Sequence, residues 1–276
     1  MRLLVTGGSG FFGSRIGKAY QGICPGHGEM DIVDRISVEE AFERIKPDIA
    51  VHCAAASDVG WCGRNPEESW KMNVEGTENM ARACGKRGIK LIYCSSDQVY
   101  FGGSQTEAHK ETEELFPANE YGKQKIEAER RCFLYCKDSV ILRLSWMYDT
   151  AKRLEKEHGN FMLTFMEAVR EGKAISYPVH DYRGITDVRL AVDNMAKVFK
   201  LPAGIYNYGS ENGYSAYETV YRLLEKAGLS VELLSKNEEA FAAHPRNIRM
   251  DMGKLREYGI EFPDTLTQLA AVFAAQ

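Results

Sequence analysis

Short apolar runs alternate with longer amphipathic stretches through the first half of the chain. Leu3-Leu-Val5 reads as a buried strand that runs into glycines, and the following residues predict a helix over about Gly13 to Tyr20. Ser37-Val-Glu-Glu40 reads as a capping box opening a helix that stops before Pro47, and Asp48-Ile-Ala-Val-His52 as a further strand. Asn65-Pro66 starts a long helix, with proline where its missing N–H costs nothing. Gly88 to Cys94 and Ser139 to Leu144 read as strands, separated by a loop and a helix over about Asn119 to Cys136.

Strands alternating with helices predict an α/β chain whose parallel sheet is covered on both faces, the doubly wound Rossmann type. After Tyr148 the rhythm loosens. A charged stretch from Lys152 to His158 precedes an amphipathic helix over about Asn160 to Glu171. A helix near Asp187 to Lys200, a strand at Gly204 to Tyr208 and a helix over about Ser215 to Ala227 follow. The expected division is a dinucleotide-binding domain over 1–148 and a smaller substrate lobe over 149–276, with segments returning to the sheet.

Composition narrows the function classes. With 276 residues, 44% hydrophobic and 27% charged, the chain can bury a full core and reads as globular. A net charge of -4 offers no basic field to nucleic acid or an anionic membrane. Seven cysteines without a C-x-x-C or a metal spacing read as reduced thiols of a cytoplasmic protein, with no metal site. No apolar run approaches the roughly 20 residues that span a bilayer. Arg2 to Thr6 leads straight into the glycines, so no signal peptide is expected.

The candidate chemistry lies at the carboxyl ends of strands, where such sheets bind ligands. Gly7, Gly10 and Gly13 stand in a G-x-x-G-x-x-G spacing between a strand and a helix. Glycines let the backbone approach a pyrophosphate, and the helix start supplies free N–H groups. The segment Ile23 to Asp31 is short and lacks a clean acid for a ribose 2′-OH, and Arg15 and Arg35 are unremarkable partners for a 2′-phosphate. The cofactor reading is therefore NADP or NAD, leaning to NADP. Asp31-Ile32 could meet the adenine, and a turn before a helix is an equally good home for that Asp.

Tyr121-Gly-Lys-Gln-Lys125 is Y-x-x-x-K, with both side chains on one helix face. An ammonium beside a phenol favours the phenolate and is expected to lower its pKa. Y-x-x-x-K alone occurs in many helices by chance. Ser96, just beyond a strand, adds a hydroxyl that can hydrogen-bond a substrate carbonyl beside the phenol.

On these residues the chain resembles the extended short-chain dehydrogenase/reductases, and among them the dTDP-4-dehydrorhamnose reductase (RmlD-like sugar-nucleotide-binding) family. The resemblance also rests on Asp48 to Ala56, Met72-Asn73, Ser95 to Tyr100, Leu142 to Tyr148, Gly159-Asn-Phe161 and His244 to Asp251. It implies cofactor contacts at Phe11, Phe12, Ala54, Ala55 and Ala56, beside the glycines and Lys125. It implies that Tyr121 protonates the C4 oxygen of a nucleotide sugar, that Lys125 tunes the phenol and holds the ribose, and that Ser96 replaces a threonine. It further implies substrate contacts at Ser96, Asp97, Trp146, Asn160 and Arg246, a supporting role for Asn73, and an anion contact at Arg249. Trp146 could equally be a core aromatic, Asn73 a packing residue, and either arginine a member of a salt bridge.

The departures are a contracted second-strand region, Arg183-Gly-Ile-Thr186 in place of a G-S-P-T turn, and Val59-Gly-Trp-Cys-Gly-Arg64 after Asp58. The leading expectation is a reductase of a 4-keto nucleotide sugar. The alternatives are another sugar-nucleotide dehydrogenase or epimerase, and a non-catalytic regulatory subunit. The expected partner is a nucleotide-sugar substrate, and a homodimer stays open as the assembly.

Overall fold

The computed structural model describes residues 1–151 and 160–274; Lys152 to His158, and Gly159 of the Gly159-Asn-Phe161 motif, lie outside them. The chain begins β1 (Leu3–Thr6), α1 (Phe11–Ala19), α2 (Arg35–Ile45), β2 (Ile49–His52), α3 (Val59–Arg64) and α4 (Pro66–Trp70). A π-turn over Lys71–Glu75 joins α4 to α5 (Gly76–Arg87). Then come β3 (Lys90–Ser96), α6 (Glu120–Tyr135), β4 (Ser139–Leu144), β5 (Trp146–Tyr148), α7 (Phe161–Arg170), β6 (Ile175–Pro178), β7 (Asp181–Tyr182) and β8 (Ile185–Asp187). The last elements are α8 (Val188–Asp193), α9 (Met195–Val198), β9 (Gly204–Tyr208), α10 (Ala216–Lys226), β10 (Leu234–Asn237), β11 (Arg246–Asn247), α11 (Gly253–Arg256) and α12 (Thr265–Ala274). Among the described residues no helix is long and apolar enough to cross a membrane.

These elements form two compact units, one of residues 1–99, 116–144 and 192–206, the other of 100–115, 145–191 and 207–274. The first is a doubly wound α/β unit of the Rossmann type. Its parallel sheet has the order β1-β2-β3-β4-β9, with the first three residues of β9 inside the unit. Alternation along the strands sends Leu4, Ala50, Leu91, Tyr93 and Ile141 to one face, where α2, α5 and α6 bury them with Phe42, Met80 and Cys132. On the α1 side, the Tyr20 hydroxyl donates to Val192 O at 2.8 Å and its ring meets Phe199 edge-on at 5.1 Å.

Two local readings change. The cap of α2 is Asp34, whose carboxylate accepts from Ile36 N at 2.8 Å, and not Ser37, whose hydroxyl accepts from Asp31 N instead. An Asx cap one turn upstream wins because Ser37 already lies inside the first turn. The contracted second-strand region survives as a single bridge between Ile23 and Leu4, so the sheet's usual second strand is reduced to one residue pair.

The second unit is built on small parallel pairs, β10 with β6, β11 with β7 and β5 with β8. Its core joins Phe161, Met162 and Phe165 of α7, Val220 and Leu223 of α10, and Leu266 and Leu269 of α12. Asn160 caps α7, and Ser215 with Glu218 closes a capping box on α10.

A buried polar chain fixes how β1, β2 and α5 meet. Ala54 N donates to Thr6 Oγ1 at 3.1 Å, and Thr6 Oγ1 lies 2.7 Å from His52 Nδ1. His52 Nε2 lies 3.1 Å from Thr77 Oγ1, which donates to Asn73 O at 2.7 Å. Because the Thr77 hydroxyl proton goes to that carbonyl, its oxygen must accept from Nε2–H. Nδ1 then accepts from Thr6, and His52 is neutral with its proton on Nε2. Burial, aided by the Lys125 ammonium, lowers the imidazole pKa from 6.5 to about 3.

A depressed imidazole pKa in the fold means that its stabilisation is full above the ordinary value and is lost as pH falls. Urea unfolding between pH 6.5 and pH 5 should therefore show about 2 kcal/mol of stability lost through this group. The loss should be absent in His52→Gln, and an equal loss in that variant would refute the assignment.

Candidate active site

The glycine loop is shaped by close approach. Gly7 has φ +66°, and a Cβ there would lie 2.8 Å from Ala54 N; one on Gly13 would lie 2.4 Å from Gly7 O. Both positions thus require glycine, and the Cys53–Ala54 backbone lies directly against the loop. Helix α1 starts at Phe11 with Gly10 as a cap that offers no side-chain bond, leaving its first N–H groups for an anion. The Phe12 side chain is buried, and Phe11 lies under the Arg15 guanidinium at 4.1 Å. Arg15 is itself buried and donates to Phe11 O at 2.6 Å, folded onto its own helix.

Asp31 accepts from Val33 N at 3.0 Å and lies 3.8 Å from His27, so its carboxylate braces the turn before α2. Ile32 is buried against Gly76, where a Cβ would come within 2.9 Å of its side chain.

Ser96, Asp97, Tyr121 and Lys125 come together in the first unit. Helix α6 is started by Asn119, whose side chain accepts from Gly122 N at 2.7 Å, and this places Tyr121 in the first turn and Lys125 one turn later. The Ser96 hydroxyl donates to Asp97 Oδ1 at 3.2 Å, accepts from Gln98 N at 3.2 Å, and lies near enough to the Tyr121 phenol to act against the rise of its pKa. Lys125 is 2% exposed, donates to Cys94 O at 2.8 Å, and lies 5.5 Å from the Tyr121 ring centroid.

The electrostatics correct one expectation. Burial pushes the Tyr121 phenol well above its ordinary value, and the Asp97 carboxylate adds to this, while the Ser96 hydroxyl opposes it. Desolvation dominates because the phenol is buried away from water, which penalises the phenolate. Burial also lowers Lys125 from 10.5 to about 8. At neutral pH the site holds a protonated phenol beside an ammonium, a pairing able to give a proton to an oxygen that is gaining charge.

Two groups escaped the sequence reading. Gln124, one residue before Lys125, donates to Ser69 Oγ at 2.7 Å and to Pro66 O at 3.2 Å, and accepts from Asn73 Nδ2 at 2.8 Å. Asn73 sits in the π-turn and pairs with the Ala56 peptide, accepting from its N at 2.8 Å and donating to its O at 3.1 Å. A polar residue on the inward face of a helix that also carries a lysine was the signal available. The other is Glu129, bound by Arg143 (2.7 and 3.1 Å) and by the Ser95 hydroxyl (2.5 Å).

In the second unit, Trp146 is 41% exposed, edge-on to Phe161 at 5.6 Å, with the Arg183 guanidinium 5.1 Å from its ring. Asn160 accepts from Met162 N and Leu163 N as a helix cap. Arg246 holds Asp181 through two bonds of 2.8 and 2.6 Å and lies over Phe241. Arg249 bonds Asn247 and Thr106 O.

The model of the RmlD substrate binding domain family matches residues 1–276. The chain is similar to the spore coat polysaccharide biosynthesis protein SpsK of Bacillus subtilis (strain 168), 30% identical over 87% of this chain and 84% of that protein. It is 25% identical to dTDP-4-dehydrorhamnose reductase of Aggregatibacter actinomycetemcomitans over 95% of each chain. It is also 25% identical to methionine adenosyltransferase 2 subunit beta of Danio rerio, over 96% of this chain and 87% of that protein. Among solved structures its fold matches dTDP-4-dehydrorhamnose reductase from Bacillus anthracis str. Ames in complex with NADP, with a TM-score of 0.85 and 24% identity over 100% of this chain and 98% of that chain.

Replacing Gln124 with leucine should take one buried hydrogen bond each from Asn73 and Ser69 and cost about 1–3 kcal/mol in urea unfolding. A variant as stable as the parent would show that the network contributes little.

Proposed function

The chain belongs to the RmlD substrate binding domain family, and on that premise we propose that it is a reductase using NADP or NAD to convert the C4 ketone of a nucleotide-activated deoxysugar into an alcohol. The observation that carries this reading is the meeting of Ser96, Tyr121 and Lys125, with the phenol protonated and the ammonium beside it. A regulatory subunit would have no catalytic reason to keep all three.

The first unit would hold the dinucleotide. Gly7, Gly10 and Gly13 leave room where a side chain would collide, and the uncapped start of α1 presents N–H groups to a pyrophosphate. Ala54, which lies against that loop, would line the dinucleotide site with Ala55 and Ala56, and Asp31 and Ile32 would meet its adenosine end. No carboxylate follows Ile23, where Cys24 and Pro25 stand, and this favours NADP over NAD. When bound, the reduced nicotinamide supplies the hydride.

The protein's own part is the proton. The Ser96 hydroxyl would hydrogen-bond the substrate carbonyl, and Tyr121 would deliver its phenolic proton to that oxygen as charge develops there. The buried phenolate left behind is costly. The Ser96 hydroxyl and the Lys125 ammonium are placed to offset that cost. Asp97 and, in the second unit, Trp146, Asn160 and Arg246 are the proposed substrate contacts. Arg246 would have to share or exchange its Asp181 partner to receive a phosphate. The location we propose for this protein is the cytoplasm, and a homodimer stays open as its assembly.

Tyr121→Phe should lower turnover about 10²–10⁴-fold, measured at 340 nm with NADPH and dTDP-4-dehydrorhamnose, while dinucleotide affinity stays within a few-fold. Unchanged turnover would remove Tyr121 from the mechanism. Lys125 loses its charge above about pH 8, so kcat/KM should fall with an apparent pKa near that value. A profile flat through pH 9 would show that the ammonium is dispensable.

A further inference from the structure

Two thiols meet at the carboxyl ends of β2 and β3. Cys53 Sγ and Cys94 Sγ lie 3.4 Å apart. The ladder pairs Val51 with Ile92 and His52 with Tyr93, so Cys53 and Cys94 are the next pair and share one face. Neighbouring strands run about 4.7–4.9 Å apart, within the roughly 4.4–6.8 Å between Cα atoms that a disulfide bridges. Both are free thiols, Cys94 buried and Cys53 half-buried. Cys62 and Cys136 instead donate to backbone carbonyls, Ala56 O and Ile89 O.

We propose that Cys53 and Cys94 form an oxidative modification site, which hydrogen peroxide converts into a disulfide that disables the dinucleotide loop. One thiol attacks the peroxide, forming an S–O bond as the O–O bond breaks, and water leaves. The second thiol displaces the sulfenic oxygen as a second water and forms the S–S bond. The two sulfurs together lose two electrons, and the peroxide gains them.

The position gives the cross-link its effect. A disulfide needs the sulfurs at about 2.05 Å, so the ends of β2 and β3 must be drawn together. Cys53 C lies 2.9 Å from where a Cβ on Gly7 would stand, and Ala54 N lies 2.8 Å from it, so this backbone has little slack against the loop. On the other strand, the Cys94 carbonyl is the acceptor for Lys125. A single bond would disturb the dinucleotide loop and the ammonium together. This consequence rests on the proposed dinucleotide site; the cross-link does not.

The test exposes the reductant-free protein to hydrogen peroxide and maps its peptides without reduction. The expected product joins the peptides of Cys53 and Cys94, two hydrogens lighter, with free thiols falling from seven to five. NADPH affinity, followed by its fluorescence, should weaken at least about tenfold and return with dithiothreitol. NADPH added first should slow the cross-link, and Cys53→Ser and Cys94→Ser should each abolish the joined peptide. Oxidation of exposed Cys24 while Cys53 and Cys94 remain thiols would overturn the site. A joined peptide with unchanged NADPH affinity would overturn its effect on the loop. A protein that binds no dinucleotide even when reduced would refute the functional reading instead, and the peptide map would still decide the cross-link.

Discussion

A lysine ammonium with 2% of its surface exposed is the constraint around which the first unit is arranged. Removing such a charge from water costs several kcal/mol unless the interior supplies partners. The Cys94 carbonyl supplies one directly, and the Glu129 carboxylate, one turn further along α6, supports the charge at longer range. Glu129 is in turn held by Arg143 of β4 and Ser95 of β3. Two adjacent strands and the helix over them are thus locked by one alternating set of charges and hydroxyls. Moving α6 along its axis by a residue would break every member of the set, so the positions of Tyr121 and Lys125 follow from the core's own electrostatics.

Much of this frame was legible in the sequence because its signals are local. The glycine spacing, the periodicity of α1 and α6, the Asn119 start and the strand at Ser139–Leu144 depend on residues a few positions apart. What stayed hidden depends on partners brought together by folding. Gln124 meets Asn73 across 51 residues and Ser69 across 55, and no spacing rule links them. The phenol's pKa direction was misread for the same reason. Y-x-x-x-K shows an ammonium nearby, whereas burial, which dominates, is a property of the whole surrounding packing. Short pairs such as β6 with β10 were missed because half-buried strands of four residues carry almost no alternation.

The two units differ in how their polar groups are committed. In the first, Ser96 and Tyr121 are both buried, with the Ser96 hydroxyl turned to its neighbour Asp97 and the phenol held protonated by its surroundings. In the second, Asn160 is engaged as a cap and Arg246 as half of an ion pair, so ligand recognition there means competing with an existing bond. Trp146 keeps 41% of its surface exposed beside the Phe161 ring and the Arg183 guanidinium.

The π-turn has a consequence for how the gene can change. Gly76 N–H reaches back five residues to Lys71 O, so the turn carries one residue more than a regular helix would hold. Deleting one residue there would let the helix become regular and rotate everything upstream by about 100° relative to α5. Ser69 would swing away from Gln124, and Asn73 from Ala56. This stretch can therefore absorb many substitutions on its solvent side but hardly any change in length. Among descendants of this sequence, length variation should collect in the connecting loops and spare the helix from Pro66 to Arg87.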